Sequence, residues 1–416
     1  MNDIKVCLIA PEFLPVWGGT GSYCIELTKA LADKVELHVA TIDRVANNDK
    51  NEHLKQEFLR SLNKRVYLHT LTKGSAGDTF FFNAKMQLAV FQKMPALLRE
   101  YRFDIIHSNF PAMPDLMARI FSKKSFKSVT TVHTCIEEHR EGTKRSGEKL
   151  YTIEDSEKMT LVLLPYLLMC ERFFLSKEKN LIFVSKYMKD FVSSRYGSTI
   201  KSASKWIINT GVDTQEFSPD KINGFREFFP ELNGIEPVIL FSGRLIALKG
   251  ISVLTRAMKD VVEANKEAHF VFAGPGKQDL VLSGMKKYGI PRERYTLLGS
   301  VDRFKMPYLY AKSEMLVLPS FVESFPLCLL EAMSSGSLVI ASNVGGVSEI
   351  VDNGVDGVLF NAGKPAELSR NIIHFLEDKE AGKNIRRKAR EKIVERFSST
   401  RMAEDTIRTY EEILEK

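Results

Sequence analysis

The sequence predicts an α/β protein of two doubly wound domains, each a mostly parallel sheet with helices on both faces. Three observations lead there. Short apolar runs that end at turn residues alternate with helix-length patterns through the first half of the chain. The same rhythm restarts at Val238. Between the two halves, Pro219 to Pro237 carries Gly224 and Asn233-Gly234 with little periodicity, as a linker does. The 416 residues suffice for two or three large cores.

Composition narrows the function classes. At 44% hydrophobic and 27% charged the chain is neither disordered nor fibrous. Its five cysteines are an odd number without a C-x-x-C pair, which suits buried reduced thiols of a cytosolic protein. The first strand follows Asn2-Asp3 directly, so no secretory leader is expected. The longest apolar segment, Leu161 to Cys170, contains Pro165 and is too short to cross a bilayer. A soluble protein is the expectation. The formal charge of +7 lies mostly in residues 1–218, which hold 31 Lys and Arg against 25 Asp and Glu. Around Lys123-Lys124, Lys127, Arg140, Lys144-Arg145 and Lys201 to Lys205 this is a solvated basic surface or a seat for an anionic partner, a membrane or a phosphorylated acceptor. No aromatic stacking signature accompanies it, so nucleic acid is set aside.

In order, Val6 to Ala10 reads as a buried parallel strand, and the loop from Pro11 to Thr20, with Pro15 and Gly18-Gly19, leads into a helix from about Ser22 to Ala32. Doubly wound folds bring phosphates to backbone N–H groups at such a turn. Gly19-x-Gly21-x-x-Cys24 lacks the third glycine of the dinucleotide fingerprint, and tight-turn geometry alone also explains it. Strands follow at Glu36 to Thr41, Val66 to Thr70, Asp104 to His107, Ser128 to His133, Leu181 to Val184 and Trp206 to Ile208, with a helix such as Gln87 to Tyr101 between them. His133 stands at the carboxyl end of its strand, where open α/β sheets bind ligands, though from position alone a loop-capping histidine is the plainer reading. His107 is a weaker candidate of the same kind. A zinc site from His133, Cys135 and His139 fits no common ligand spacing. The excursion 134–180, polar and then apolar from Thr160 to Phe174, is a candidate acceptor-binding region.

The second half adds strands at Val238 to Phe241, His269 to Ala273, Tyr295 to Leu298 and Met315 to Leu318, and surface helices at Pro365 to Glu377 and Ala381 to Arg396. After its first strand, Ser242-Gly243-Arg244 and Lys249-Gly250 flank a loop with two cations. They are surface charges or a clamp on a diphosphate, worth roughly 1.5–3 kcal/mol for each charge-assisted hydrogen bond. After Met315 to Leu318, the loop Pro319-Ser320 carries Glu323. Ser324 as cap and Pro326 in the first turn then open a helix with Leu327, Leu330 and Glu331. Free N–H groups at that helix start suit an anion such as a pyrophosphate. Glu331 could accept hydrogen bonds from a diol beside it, and Glu323 from hydroxyls on the other side. Solvated surface glutamates are the bland alternative, but Glu331 lies within Leu329-Leu330-Glu331-Ala332-Met333, where an unpaired charge is costly. A phosphate flanked by two polyols describes a nucleotide sugar.

Glu323-x7-Glu331, the preceding Pro319-Ser320, Gly345-Gly346, Glu349-Ile350-Val351, Asn353-Gly354 and Gly357 together resemble the C-terminal half of the family 4 retaining glycosyltransferases. The resemblance implies the GT-B fold, two Rossmann-like domains facing across a cleft. It implies an acceptor-side domain at 1–216, a nucleotide-sugar domain at 217–395 and a terminal helix, 396–416, returning to the first domain. It extends to Gly18-Gly19 as backbone neighbours of the donor diphosphate and to Gly-Arg244…Lys249-Gly as the diphosphate clamp. Leu297 to Val301, with Leu298, resembles the strand end that meets the base. Thr131-Val132-His133 matches a histidine close to the transferred sugar, although Thr134 replaces the acidic residue often found next. Thr210 likewise departs from a usual Asn.

By this resemblance Glu331 holds the ribose diol, Arg244 and Lys249 the pyrophosphate, and Glu323 with the N–H groups across Ser324, Phe325, Pro326 and Leu327 the sugar. His133, Arg244, Lys249 and Glu323 form the catalytic set. Cleavage of the anomeric C–O bond puts charge on the β-phosphate, which fixed cations and N–H dipoles stabilise. No Asp-x-Asp occurs, so metal independence and no cofactor are expected. The expected donor is UDP- or GDP-linked. The acceptor class is a glycan, a glycolipid or a small hydroxyl compound, lipid-linked or anionic, met in the cytoplasm or through a peripheral contact of the basic first domain with the membrane. A nucleotide-sugar epimerase and a non-catalytic sugar-nucleotide-binding subunit are the alternatives. A pyridoxal-phosphate phosphorylase shares the architecture, without a recognisable lysine site.

Overall fold

The structure, a computed structural model, describes residues 4–14, 18–45, 48–62, 65–75, 82–109, 126–147 and 155–416. Asn2-Asp3, Pro15 and Lys123-Lys124 of the sequence reading lie outside the described residues. The chain divides into two compact units. The first comprises the residues up to Glu137, Met159–Gly211 and Ser399–Lys416; the second comprises Glu138–Lys158 and Val212–Ser398. The break therefore falls after Gly211 rather than after residue 216, and the terminal segment joins the first unit from Ser399. Glu138–Lys158, read from sequence as part of the first domain, groups with the second. Tight packing is the reason: a Cβ on Gly142 would lie 2.5 Å from Val322 Cγ1 and 2.9 Å from Leu248 Cδ2.

The first unit is built on seven parallel strands: β1 (Lys5–Ala10), β2 (Glu36–Val45), β3 (Val66–Ser75), β4 (Ile105–Ser108), β5 (Lys127–Val132), β6 (Asn180–Phe183) and β7 (Ser204–Ile207). Their order is β3-β2-β1-β4-β5-β6-β7. The apolar runs that predicted β1, β4 and β6 are buried on both faces, as a parallel sheet covered by helices requires. Helix Ser399–Glu415 belongs to this unit. Its Tyr410 hydroxyl shares a 2.6 Å hydrogen bond with His107 Nδ1, and Glu412 accepts from Trp206 Nε1 at 2.8 Å.

The second unit has six parallel strands: β8 (Val238–Ser242), β9 (His269–Ala273), β10 (Tyr295–Gly299), β11 (Met315–Leu318), β12 (Leu338–Ser342) and β13 (Val358–Phe360). They are ordered β10-β9-β8-β11-β12-β13. In both sheets the strand order reverses beside the first strand, which makes β1/β4 and β8/β11 the switch points where such sheets open toward ligands. Strand β13 has only three residues, too few to show a period. Phe241, Phe270, Phe272, Val317 and Ile340 form the heart of the core, and helix Ile251–Ala264 lays Ile251, Leu254, Met258 and Val261 onto it at helical spacing. Truncating Phe272 to Ala would cost about 3–5 kcal/mol.

Two glycines bring the loops of this unit together. Gly250 has φ 69°, and a Cβ there would stand 1.9 Å from the Pro319 carbonyl oxygen. Gly274, at φ 153°, lies as close to the Gly243 carbonyl. Only glycine lets the turns after β8, β9 and β11 converge so tightly.

Candidate active site

At the carboxyl ends of β8 and β11 two of the sequence-predicted residues, Lys249 and Glu323, meet. Lys249 Nζ donates to Glu323 Oε1 at 2.6 Å, and Ser320 Oγ donates to the same oxygen at 2.7 Å. The Glu323 carbonyl accepts from Gly346 N at 2.9 Å, so the loop after β11 is held from both ends. Arg244, across the same loop from Lys249, is exposed, and its side chain makes no hydrogen bond or ion pair among the described residues. The two cations share one neighbourhood. His139, on helix Ile136–Ser146, is pushed down to about 4 by burial and then by the charges of Arg244 and Lys249. A neutral imidazole there adds no competing charge.

Glu331 is buried, as its apolar flanks predicted, but its partner is internal. Arg303 Nη1 donates to Oε1 at 2.7 Å, and the Tyr310 hydroxyl donates to Oε2 at 3.0 Å while accepting from Ser242 Oγ at 2.9 Å. The cost of an unpaired buried charge, which had argued for a bound partner, is met by the protein itself. Burial, and next the Glu331 charge, hold the Tyr310 hydroxyl well above its ordinary range, so it stays a donor. A carboxylate oxygen has two acceptor sites, so one remains on each oxygen for a further hydrogen bond.

The helix after Glu323 departs from its sequence reading. It runs Leu327–Ser334 with Pro326 at the cap position and no side-chain cap. Ser324 Oγ instead donates to Glu138 Oε2 at 2.8 Å, because helix Ile136–Ser146 presents a buried carboxylate there. Pro326 has no N–H, so backbone donation across Ser324 to Leu327 falls to the residues on either side of it. Phe325 is buried against Phe397, ring centroids 5.8 Å apart. Burial raises the Cys328 thiol, which removes it as a nucleophile at neutral pH. Leu298 sits where the β10 register slips between Leu297 and Gly299, leaving its backbone outside the regular ladder with β9.

In the first unit, helix Gly19–Leu31 begins three residues earlier than its pattern suggested, with Gly18 extended at the cap. A Cβ on Gly19 would meet nothing within 4 Å, so its start is open, whereas Gly18 lies against Glu12. His133 follows β5 and is partly buried. Its ring lies edge-on to Tyr23, centroids 4.5 Å apart, and Nε2 stands 3.4 Å from Asn109 Oδ1. Burial pushes its pKa down to about 3. His107, the weaker candidate, is a core histidine: fully buried, with Tyr410 on Nδ1 and Thr131 Oγ1 2.7 Å from Nε2. Among the described residues no group of three His, Cys, Asp or Glu is placed to hold a metal ion. The zinc alternative meets Asn109 at His133 and two cations near His139 instead.

Arg303, Tyr310, Glu138 and Tyr23 had escaped the sequence reading. The one signal for Arg303 was indirect: a glutamate inside an apolar helix requires a cation, and Arg303 is a cation just past a strand end.

Two family profiles match most of the chain between them. Glycosyltransferase Family 4 matches residues 17–216, and Glycosyl transferases group 1 matches residues 225–392. An uncharacterized glycosyltransferase of Methanocaldococcus jannaschii is 32% identical over 242 residues, 57% of this chain and 60% of that protein, so the match spans less than two thirds of its length. The N-acetyl-alpha-D-glucosaminyl L-malate synthase of Bacillus anthracis is 24% identical over 96% of this chain and 95% of its own. Among solved structures, a sucrose-phosphate synthase from Thermosynechococcus elongatus superposes with a TM-score of 0.78 at 20% identity, covering 99% of each chain. The Anabaena protein HepE, crystallised with UDP-glucose, superposes at 0.69 with 19% identity over 98% of this chain and 100% of its own. At such identities these structures speak for the fold, which is GT-B.

Proposed function

Because the chain belongs to the family 4 glycosyltransferases, we propose that it moves a sugar from a nucleotide-diphosphate sugar to a hydroxyl acceptor, with retention at the anomeric carbon and without a metal ion. One observation carries the reading. Two cations and two carboxylates that lie far apart in sequence gather at the β8/β11 switch point, and each carboxylate keeps acceptor capacity toward a ligand.

In this reading the second unit receives the donor. Arg244, exposed and without a partner among the described residues, and Lys249 take the diphosphate. Lys249 turns part of its hydrogen bonding from Glu323 to phosphate. Glu331, fixed by Arg303 and Tyr310, accepts from the ribose diol, and the open backbone at Leu298 meets the base. Glu323 and the N–H groups of Phe325 and Leu327 address the sugar. As the anomeric C–O bond breaks, its electron pair goes to the β-phosphate oxygen, and preorganised positive groups stabilise that charge at little reorganisation cost. Gly18-Gly19 and His133 are the contribution proposed for the first unit. Neutral at working pH, His133 would act through a hydrogen bond and not through charge. Hexosyl donors come first because the Anabaena structure holds UDP-glucose. Small hydroxy acids join glycans and glycolipids as acceptors to try because the Bacillus relative is named for an N-acetyl-alpha-D-glucosaminyl L-malate product.

A panel of UDP-, GDP- and ADP-sugars assayed for slow hydrolysis, then for transfer to acceptors, tests this. One donor class should release nucleoside diphosphate, faster with acceptor, in the presence of chelator, and with the donor's anomeric configuration kept in the product. Loss of turnover in chelator with rescue by a divalent ion would contradict the metal-free mechanism. Conversion of the donor to an isomer without release of nucleotide would point to an epimerase.

A further inference from the structure

One face of the first unit carries a stripe of large apolar side chains that the fold leaves uncovered. Helices Asp155–Val162 and Leu164–Leu175 continue through Leu163, whose N–H donates to Met159 O at 3.0 Å and whose carbonyl accepts from Leu167 N at 2.9 Å. Met159, Val162, Tyr166, Met169 and Phe173 recur every three or four residues and so share one face. They are 42%, 73%, 59%, 62% and 50% exposed. Single exposed apolar residues are ordinary; five in line are not. The opposite face is anchored. Glu171, buried, accepts from Ile136 N at 2.8 Å and from the Tyr196 hydroxyl at 2.6 Å, and Leu175 joins the core. The outward direction of the stripe is therefore set by a buried polar anchor.

The exposed charges described on the stripe's own helices and the turn after them have one sign. Among the described side chains of these helices and the turn after them, the carboxylates Glu157, Glu171 and Glu178 are all buried, whereas Arg172, Lys177 and Lys179 are exposed. The Lys177 ammonium lies 5.4 Å above the Phe173 ring, on the border of the stripe. An apolar face bordered by cations, with no exposed carboxylate among the described side chains of its own helices, complements an anionic bilayer, where side chains enter the interface and cations meet headgroup phosphates. A second copy on the same face would bring like charges together. Among the described residues no helix is long and apolar enough to cross a membrane, so the geometry is that of lying on one. We propose that this stripe, Met159 to Phe173, seats the first unit on an anionic membrane surface. The proposal does not depend on the transferase reading, and its test needs neither donor nor acceptor.

The full chain is sedimented with phosphatidylcholine vesicles with and without phosphatidylglycerol, beside the triple variant Tyr166→Ser, Met169→Ser, Phe173→Ser and the pair Arg172→Glu, Lys179→Glu. Wild type should bind the anionic vesicles and not the neutral ones, less so as salt rises. The triple variant should lower the partition coefficient about tenfold or more. The charge pair, on exposed side chains, should weaken binding with an unchanged thermal transition, and it keeps the test sharp if the triple variant misfolds. Three outcomes would overturn the proposal: no binding of wild type to anionic vesicles, variants that bind as wild type does, or a wild-type dimer that the triple variant turns into monomer.

Discussion

Lys249 Nζ stands 2.6 Å from Glu323 Oε1, joining the loop after β8 to the loop after β11 as one ion pair at the switch point of the second sheet. Glu323 is buried and Lys249 is not, so the pair holds a carboxylate in place while its cation keeps a route to a ligand. Lys249→Ala should lower turnover about 100-fold or more, as loss of roughly 3 kcal/mol at the transition state implies. It should also lower the melting temperature, because Glu323 then lacks its countercharge. Adding Glu323→Gln should recover the stability and not the rate. Near-wild-type turnover in folded Lys249→Ala would contradict the clamp.

Arg244 presents the opposite case. Exposed and bound to no described residue, it contributes little to the folded state, so Arg244→Ala should leave stability within about 0.5 kcal/mol of wild type. Turnover should nevertheless drop about 100-fold. Paired measurements of melting and donor hydrolysis would check the split, and a variant that melts early without losing rate would remove Arg244 from the site.

Arg303 is a positioning residue for Glu331. Removing it leaves a buried carboxylate with Tyr310 alone, so Arg303→Ala should destabilise the chain by about 3 kcal/mol. The same variant should weaken donor binding in a titration, whereas Glu331→Gln should weaken binding with a smaller loss of stability. Equal melting of Arg303→Ala and wild type would mean that the pair with Glu331 carries no net stabilisation.

Acid should destabilise the first unit through its histidines. Burial lowers His107 and His133 from their ordinary value near 6.5 to about 3. The unfolded chain therefore binds more protons between those values, and stability present above about 6.5 is lost as pH falls toward about 3. His107→Asn should be less stable at neutral pH, since the bonds to Tyr410 and Thr131 change, yet show a shallower decline of melting temperature with acid. A slope equal to that of wild type would remove His107 from the acid response.

Much of the fold was readable in the residues because its signals are local. Apolar runs such as Val6 to Ala10 and Met315 to Leu318 declare parallel strands, and Gly250 marks a turn where any side chain would collide with Pro319. The pattern from Pro319 to Gly357 placed Glu323 and Glu331 near a strand end for the same reason. Local signals also misled: Ser324 has the chemistry of a helix cap, and only the carboxylate of Glu138, 186 residues earlier, draws it away. β13 was too short to declare itself.

By itself, then, the sequence determined the α/β alternation, the strand ends where ligand-binding groups stand, and the residue types available there. Tertiary structure alone decided which of those groups are partners: Lys249 with Glu323, Arg303 and Tyr310 with Glu331, Tyr410 with His107. The reason is physical. Backbone periodicity is written in neighbours three or four residues apart, whereas the partner of a buried charge is chosen by how strands order in a sheet, and 21 to 303 residues separate those pairs.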